Sequence, residues 1–311
     1  MRSGNVVITT TPSAFLSGCA ALPPLANPRV TARAAFLVAP AASELAAESA
    51  RDNRYMRMDA DFDAQRALAQ HAALAQALRT DVPIITFPGD AATPDAMFPN
   101  NVFATAPDRF VVARMRHAVR QREAVRADVR AFFRDVLRYE EVDLSRGDHG
   151  VAELTGSLVI DHMHGIGYCG LSERCDLDGA RAMHDAFGLR LMFCFDLAPG
   201  EYHTNVVMAS LAGRGVILAP DGFADAEVPR AIARAFDDHV LWLSSEQKRA
   251  YAANAITLSP DRVWMSAHAA ASLDDAQRTA LAEWGFALGT VELDEIEKAG
   301  GSLRCCVGEI F

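Results

Sequence analysis

The 311-residue chain lacks the features that mark membrane-spanning and nucleic-acid-binding proteins. No apolar run approaches the roughly 20 residues that a helix needs to cross a bilayer. Acidic residues outnumber basic ones, 40 Asp and Glu against 30 Lys and Arg, and the formal net charge is −10. Nucleic acids and anionic membrane surfaces bind basic patches. We therefore expect a partner that is neither nucleic acid nor membrane.

Cysteine is also scarce, and its spacing excludes the common cysteine sites. The chain has six, at Cys19, Cys169, Cys175, Cys194, Cys305 and Cys306. None forms a CxxC pair, so we expect no zinc or other metal site and no thioredoxin-like motif. Six cysteines are too few for a disulfide scaffold in a chain of this length, and the sequence predicts free thiols in a reducing cytoplasm.

The chain has no evident linker. No Ser/Gly stretch or charge run divides it, so the sequence predicts a single domain over residues 31–311. Residues 1–30, which include "LPPLANP", are expected to form a loose N-terminal extension. Within them "AFLSGC" resembles a lipoprotein cleavage box, but the polar run "TTTPS" ahead of it is a poor signal-peptide core.

The chain does contain a long alternation of short apolar runs and helical patterns. "RAAFLVAP" predicts a buried strand, residues 59–79 predict an Ala-rich amphipathic helix, and "VPIITFPGD" predicts the next strand. Further strands are predicted at "DRFVVARM", "SLVIDH", "LMFCFDL", "GRGVILAP", "HVLWLS", "VWMSAHAA" and "RCCVGEIF". This alternation indicates an α/β fold. The irregular period of about 50 residues is compatible with strand–strand–helix–strand repeats.

Polar residues that a hydrophobic core does not explain lie in four loops. These are "PDAMFPNNVFAT", "GDHGVAELTGSLVID" with "YCGLSERCD", "GEYHTNVVM" and "GGSLRCC". A lone histidine at a strand edge, such as His203, is more often a structural hydrogen-bonding group than a catalyst. The alternative is a catalytic pair, in which a cysteine that follows two glycines is the nucleophile and the histidine is its acid/base. The paired asparagines of "FPNN" are equally compatible with a capped turn.

In this order the four loops resemble the guanidine-modifying, or amidinotransferase-like, superfamily. Its members include arginine deiminase, dimethylarginine dimethylaminohydrolase, succinylarginine dihydrolase and the glycine amidinotransferases. The pattern is most similar to the citrulline-utilisation hydrolases, in "PDAMFPNN", "ELTGSLVID", "GLSER", "YHTNV" and "GGSLRC", and it runs from about residue 34 to residue 311. The resemblance implies a five-bladed β/α propeller of pseudo-symmetric ββαβ units around a central channel, with no cofactor.

The resemblance also implies the catalytic residues. Its nucleophile falls on Cys305, directly after "GGSLR", its general acid/base on His203 and the acidic partner of that histidine on Glu153. Neighbouring residues of a strand point to opposite faces, so Cys306 is expected to pack away from the channel.

The resemblance further implies a substrate-binding set. Asp95, Asn100 and Asn101 come from the first loop. Arg174 is expected to hold the carboxylate of an amino acid, because a guanidinium pairs with a carboxylate through two parallel hydrogen bonds. Arg120 is a second candidate for an anion contact.

One departure from the superfamily pattern bears on the substrate. Arginine deiminases hold the guanidinium with two aspartates, where this chain has Asn101 and Asn205. An amide is neutral and both donates and accepts, which favours a neutral ureido group. The main hypothesis is therefore hydrolysis of citrulline to ornithine, CO2 and ammonia.

Other functions stay open. Arginine deiminase or dihydrolase activity on arginine or a substituted arginine is the alternative, ahead of an amidinotransferase or a non-catalytic binding protein. The expected partner is a free amino acid, and the assembly can be a homodimer.

Overall fold

Strands and helices alternate along the chain, as its apolar runs predict. The computed structural model describes residues 7–41 and 44–311. Over these residues the strands are β1 Ile8–Thr9, β2 Ala34–Val38, β3 Ile84–Phe87, β4 Phe103–Ala106, β5 Arg109–Val112, β6 Glu140–Asp143, β7 Leu158–Asp161, β8 Ile166–Leu171, β9 Leu191–Asp196, β10 Met208–Leu211, β11 Gly215–Leu218, β12 Val240–Trp242, β13 Ile256–Ser259, β14 Arg262–Ser266, β15 Ala287–Val291 and β16 Gly308–Ile310. The α-helices are α1 Pro12–Ala21, α2 Ala64–Leu78, α3 Ala118–Ala124, α4 Ala127–Ala131, α5 Leu154–Ser157, α6 Leu177–Phe187, α7 Glu227–Ala235, α8 Ser245–Arg249, α9 Ala267–Ser272, α10 Asp275–Glu283 and α11 Asp294–Glu297. The α/β class predicted from the sequence is confirmed.

Capping residues set the ends of the longer helices. α2 begins five residues later than its pattern predicts, because the Asp63 side chain accepts hydrogen bonds from the backbone N–H groups of Gln65 and Arg66. Asp176 caps α6 in the same way, and Gly188 ends that helix with a φ of 63°, in the left-handed region that glycine adopts without strain.

The strands form five small sheets that share one pattern of connections. The sheet orders are β16-β2-β3, β4-β5-β6, β1-β9-β8-β7, β10-β11-β12 and β13-β14-β15. Each sheet contains an antiparallel pair followed by a parallel strand. One or two helices make each parallel crossover. The first sheet takes β16 from the end of the chain and β2 and β3 from near its start, so it joins both ends.

The N-terminal segment differs from the loose extension that the sequence predicts. Residues 1–6 lie outside the described part, but β1 pairs in parallel with β9, Ile8 opposite Met192. Phe15 of α1 is fully buried and stacks on Phe193 of β9, with ring centroids 4.5 Å apart. Residues 8–21 are therefore part of a sheet and its core, because burial of one aromatic ring anchors the helix.

One turn precedes the strand that begins the antiparallel pair of each sheet, that is β4, β7, β10, β13 and β16. These five turns are hydrogen-bonded to one another in succession. The Thr155 hydroxyl donates to the Asn100 carbonyl, the Asn205 amide to the Thr155 carbonyl, and the Asn254 amide to the Asn205 carbonyl. The Arg304 N–H donates to the Asn254 carbonyl. These turns bring together residues that are far apart in the sequence. No helix in the described ranges is long and apolar enough to cross a membrane.

Candidate active site

A small cavity is lined by most of the residues that the sequence singles out. The space between its atoms is about 290 Å³, and its walls include Cys305, His203, Asp95, Asn101, Arg120 and Arg174.

Cys305 lies in a 3-10 turn, not in the last strand as the sequence predicts. The turn spans Leu303–Cys306 and precedes β16, because the chain must bend to bring Cys305 under the other turns. The Asn254 amide lies 3.3 Å and the Asn205 amide 3.6 Å from Sγ of Cys305, each with a hydrogen to donate. Burial raises the pKa of the Cys305 thiol, while these hydrogen bonds lower it in part.

Cys306 faces a different environment. It is fully buried among apolar side chains and does not line the cavity. Burial raises the pKa of its thiol well above the usual range. The two thiols point into different surroundings, as expected. The reason is that they are successive residues of a tight turn and not of a strand.

His203 and Glu153 form a buried pair. His203 Nε2 lies 2.8 Å from Glu153 Oε2. Burial raises the pKa of Glu153, but Arg174 and His203 outweigh that effect and hold it far below its usual range. The ionised carboxylate can only accept a hydrogen bond, so Nε2 carries the proton and Nδ1 of the neutral ring keeps its lone pair.

His203 lines the cavity, and its second ring nitrogen is the one available for proton transfer. Nδ1 is buried and has no hydrogen-bond partner among the described residues. Burial lowers the pKa of His203, so the ring is neutral without substrate. This arrangement can accept a proton at Nδ1 while Glu153 fixes the tautomer.

Arg174 is already occupied by protein groups. Its guanidinium donates to Asp52, to Glu153 at 3.1 Å and to the Ser49 carbonyl at 3.0 Å. Only the second hydrogen of Nη1 is left by these contacts, and the role of Arg174 in holding the carboxylate of the substrate stays a prediction. Its position stabilises Glu153 and the segment that carries Ser49 and Asp52.

Arg120 is the better placed cation. Its Nε and Nη2 donate to Glu123 at 2.8 and 2.9 Å, and Nη2 also donates to the Phe98 carbonyl. Its Nη1 has no partner among residues 7–41 and 44–311 and belongs to a side chain that lines the cavity. Burial raises the pKa of Glu123 to about 7 in spite of this pairing.

Asp95 lies at the same cavity and is almost fully buried. The Ser49 hydroxyl donates to its Oδ2. Burial raises the pKa of Asp95, and Arg120 offsets only part of this increase. A bound cation would favour the ionised form.

The two neighbouring asparagines of the first loop differ. Asn101 lines the cavity, and its Oδ1 is buried with no partner in the described residues. Asn100 is fully buried and does not line it. Asn100 contributes its carbonyl to the succession of turns, so the predicted substrate contact from its side chain has no geometric support.

Asn254 is the residue that sequence reasoning missed. It precedes β13, the strand "ITLS", which was not among the predicted strands. The available signal was its spacing from the following strand. The strand that begins an antiparallel pair comes two or three residues after each of Asn101, Asn205, Asn254 and Cys305. In the described part of the chain no group of three or more His, Cys, Asp or Glu side chains could hold a metal ion.

Comparison with known proteins gives a family and several structures of the same fold. The family model described as "N,N dimethylarginine dimethylhydrolase, eukaryotic" matches residues 39–311. No curated protein sequence is significantly similar to the chain.

The similar solved structures share the fold at low sequence identity. The N-terminal domain of ArgZ, an arginine dihydrolase of cyanobacteria, bound to its substrate, has a TM-score of 0.76 at 20% identity, covering 89% of this chain and 97% of that one. Full-length ArgZ has a TM-score of 0.77 at 21% identity, covering 89% of this chain and 40% of that one. A dimethylarginine dimethylaminohydrolase in an adduct with 4-chloro-2-hydroxymethylpyridine has a TM-score of 0.69 at 21% identity, covering 90% and 100%.

Fold and family match together define a guanidine-modifying enzyme of the superfamily that the sequence motifs resemble. The chain belongs to the N,N dimethylarginine dimethylhydrolase family, whose model spans most of its length. It is a hydrolase acting on C–N bonds other than peptide bonds.

Proposed function

We propose that the enzyme is an arginine dihydrolase that converts arginine and two waters to ornithine, CO2 and two ammonia molecules. This is the alternative that the sequence left open beside citrulline. The proposal includes Cys305 as nucleophile, His203 as acid/base, and the five sheets as blades of a β/α propeller around the cavity. A cytoplasmic setting and a homodimer stay predictions of the sequence.

The observation that carries the proposal is the surplus of acceptors around the nucleophile. Asp95 and Nδ1 of His203 can only accept, and a guanidinium offers five N–H donors and no acceptor. A ureido group offers fewer N–H donors and adds an oxygen that accepts, so it would satisfy fewer of these acceptors. Burial raises the pKa of Asp95 and Arg120 offsets only part of this increase, so a cation bound beside it would favour the carboxylate.

The amides suit the second half of the reaction. Loss of the second ammonia replaces the cationic thiouronium by a neutral thiocarbamate at the same carbon. Asn101 and Asn205 can donate to an oxygen as readily as they accept from a nitrogen. One carboxylate with several amides therefore serves both charge states, which a pair of aspartates would not.

Two structures of the cyanobacterial dihydrolase support the same assignment. One is a cysteine-to-serine variant bound to its substrate, and another is an asparagine-to-serine variant covalently bound to a reaction intermediate. A cysteine and asparagines also meet in this protein, since Asn205 and Asn254 both contact Sγ of Cys305.

The first ammonia leaves through a covalent intermediate. The arriving guanidinium favours the thiolate of Cys305, and Nδ1 of His203 takes the thiol proton. Sγ attacks the guanidino carbon, His203 returns the proton to the departing ammonia, and a thiouronium remains on Cys305.

The second ammonia leaves in the same way. A water deprotonated by His203 adds to the thiouronium carbon, and expulsion of another ammonia leaves a thiocarbamate on the sulfur. A second water releases a carbamate, which decomposes to ornithine and CO2. Release of citrulline after the first water would make the enzyme a deiminase instead.

The test is the stoichiometry of products from purified protein. Arginine, citrulline and dimethylarginine are supplied separately, and ammonia, ornithine, citrulline and dimethylamine are quantified, with Cys305→Ser as the control for contaminating activity. We expect two ammonia molecules per ornithine from arginine, and kcat/KM for citrulline well below that for arginine. Citrulline as the preferred substrate, citrulline as the end product, or dimethylamine release as the preferred reaction would each replace the proposal.

A further inference from the structure

Asn254 contacts the nucleophile at two points. Its Nδ2 donates to Sγ of Cys305 at 3.3 Å, and its Oδ1 accepts from the Cys305 backbone N–H at 3.3 Å. The side chain is fully buried and lies at the end of the turn before β13. It therefore touches the reacting atom and the backbone that carries it.

The orientation of this amide is fixed from both sides. Nδ2 also donates to the Asn205 carbonyl at 2.9 Å, and Oδ1 faces an N–H group. Rotation of the amide by 180° would place oxygen against a carbonyl and nitrogen against an N–H. Asn254 can thus only donate to the sulfur.

Asn205 is less restricted. Its Nδ2 lies 3.6 Å and its Oδ1 3.8 Å from the same sulfur. It can accept the proton of the thiol or donate to the thiolate. Only Asn254 discriminates between the two states, because a donor stabilises an anionic sulfur more than a neutral one.

The turn that carries Asn254 has an unusual backbone. Tyr251 is buried and has a φ of 62°, a region that side chains with a Cβ rarely adopt. The Asn254 N–H donates to the Tyr251 carbonyl at 2.8 Å, and the Arg304 N–H donates to the Asn254 carbonyl at 3.3 Å. The strained turn is held directly against the turn of the nucleophile.

We propose that Asn254 is a catalytic residue, which donates a hydrogen bond to the thiolate of Cys305 and holds its sulfur in the attacking position. The neighbouring guanidinium of Arg304 is turned to Glu309 and to the Val307 carbonyl, so it lowers the pKa of the Cys305 thiol through its charge and makes no hydrogen bond to the sulfur. The inference rests on the proposed function only in taking Cys305 as the nucleophile.

The test is the pH dependence of alkylation of Cys305 by iodoacetamide without substrate, followed by mass spectrometry of the Cys305 peptide. We expect Asn254→Ala to move the midpoint upward by about one pH unit, the loss of one charge-assisted hydrogen bond. Asn254→Asp should move it further, because a carboxylate beside the sulfur opposes the thiolate.

Thiolate stabilisation is separated from mere folding by two further variants. Thr257 lies in β13, the strand after Asn254, and its hydroxyl accepts a hydrogen bond from the Ala212 N–H. Thr257→Val removes this bond and should leave the midpoint of alkylation unchanged, whatever it costs in thermal stability. Asn254→Ser gives a second, smaller change in case the alanine variant does not fold. Folded Asn254 variants with the wild-type midpoint would overturn the inference.

The outcome is independent of the substrate. A shifted midpoint in a protein that turns over none of the candidate amino acids would leave the inference intact and remove the proposed function. An unshifted midpoint in an active dihydrolase would remove the inference and leave the proposed function intact.

Discussion

Two adjacent thiols show how far the surroundings of a side chain decide its chemistry. Cys305 has two amide donors and a cavity beside its sulfur. Cys306, the next residue, packs in the hydrophobic core, and burial holds the pKa of its thiol well above the usual value. A thiol without donors or charge beside it is a packing group, since only the thiolate attacks.

We predict that Cys305→Ser abolishes turnover and that Cys306→Ser retains most of it. The hydroxyl of serine is a much poorer nucleophile in the first case. In the second it is buried without a partner and should lower the free energy of unfolding by about 1–3 kcal/mol. Steady-state kinetics and urea denaturation measure the two effects. A folded but inactive Cys306→Ser, with an active Cys305→Ser, would reverse the assignment.

The two arginines mark the limit of what a motif can predict about single residues. The pattern favours Arg174 over Arg120 as the anion contact. In the structure each nitrogen of Arg174 has a partner among Asp52, Glu153 and Ser49, whereas Arg120 has one nitrogen free of partners in the described chain. A motif identifies residue type and position. Which guanidinium is occupied depends on Asp52, which lies far from both arginines in the sequence.

The five turns that precede β4, β7, β10, β13 and β16 act together as one structural element. Each bonds to the preceding one, and the site depends on close approach between them. Gly156, in α5, has little room. An added Cβ would lie 2.5 Å from Oδ1 of Asn101 and 2.8 Å from Nδ1 of His203, two acceptors without a partner in the described residues.

Gly156→Ala is therefore predicted to reduce kcat/KM by about 100-fold, the usual effect of displacing catalytic groups by about 1 Å. The methyl group would push the His203 ring or the Asn101 amide out of position while leaving the sheets paired. Gly18→Ala in α1 is the matched control, because its added Cβ meets only the flexible Leu191 side chain, at 3.1 Å. Equal activity of the two variants would show that the close approach is unimportant for catalysis.

The elements also explain why one part of the site was not predictable. The strands that follow Asn101, His203 and Cys305 adjoin loops with unusual polar residues, and those loops stand out. β13 is short and follows an ordinary-looking "AANA", so neither the strand nor the turn before it has a local signal. The role of Asn254 appears only when Asn205 and Cys305 are brought beside it.

Over the whole molecule, the sequence predicts the class of fold better than it predicts which distant segments pair with each other. Alternating apolar runs establish the α/β class because each buried strand needs a helix to cover it. Pairing between distant segments leaves no such local pattern. β1 has two residues, and its partner Met192 on β9 is encoded far along the chain from Ile8, so the N-terminal segment reads as loose from its composition alone.

The N-terminal helix gives a prediction about stability that is separate from catalysis. Phe15 is fully buried, stacks on Phe193 and meets Tyr168 edge-to-face at 5.8 Å. Phe15→Ala should lower the free energy of unfolding by about 3–5 kcal/mol, because the removed ring leaves a cavity among side chains that cannot close around it. Phe15→Leu, which refills part of that space, should cost less.

Catalysis should be unaffected at temperatures where the Phe15 variants are folded. The contacts of Phe15 are with β8 and β9, and the ring does not line the cavity that holds Cys305. Urea denaturation gives the loss of stability, and kcat/KM for the preferred amino acid at low temperature gives the effect on the site. An unchanged unfolding free energy for Phe15→Ala would return residues 8–21 to the loose extension that their composition predicts. A large fall in kcat/KM in the folded variant would instead mean that the N-terminal helix supports the site through β9.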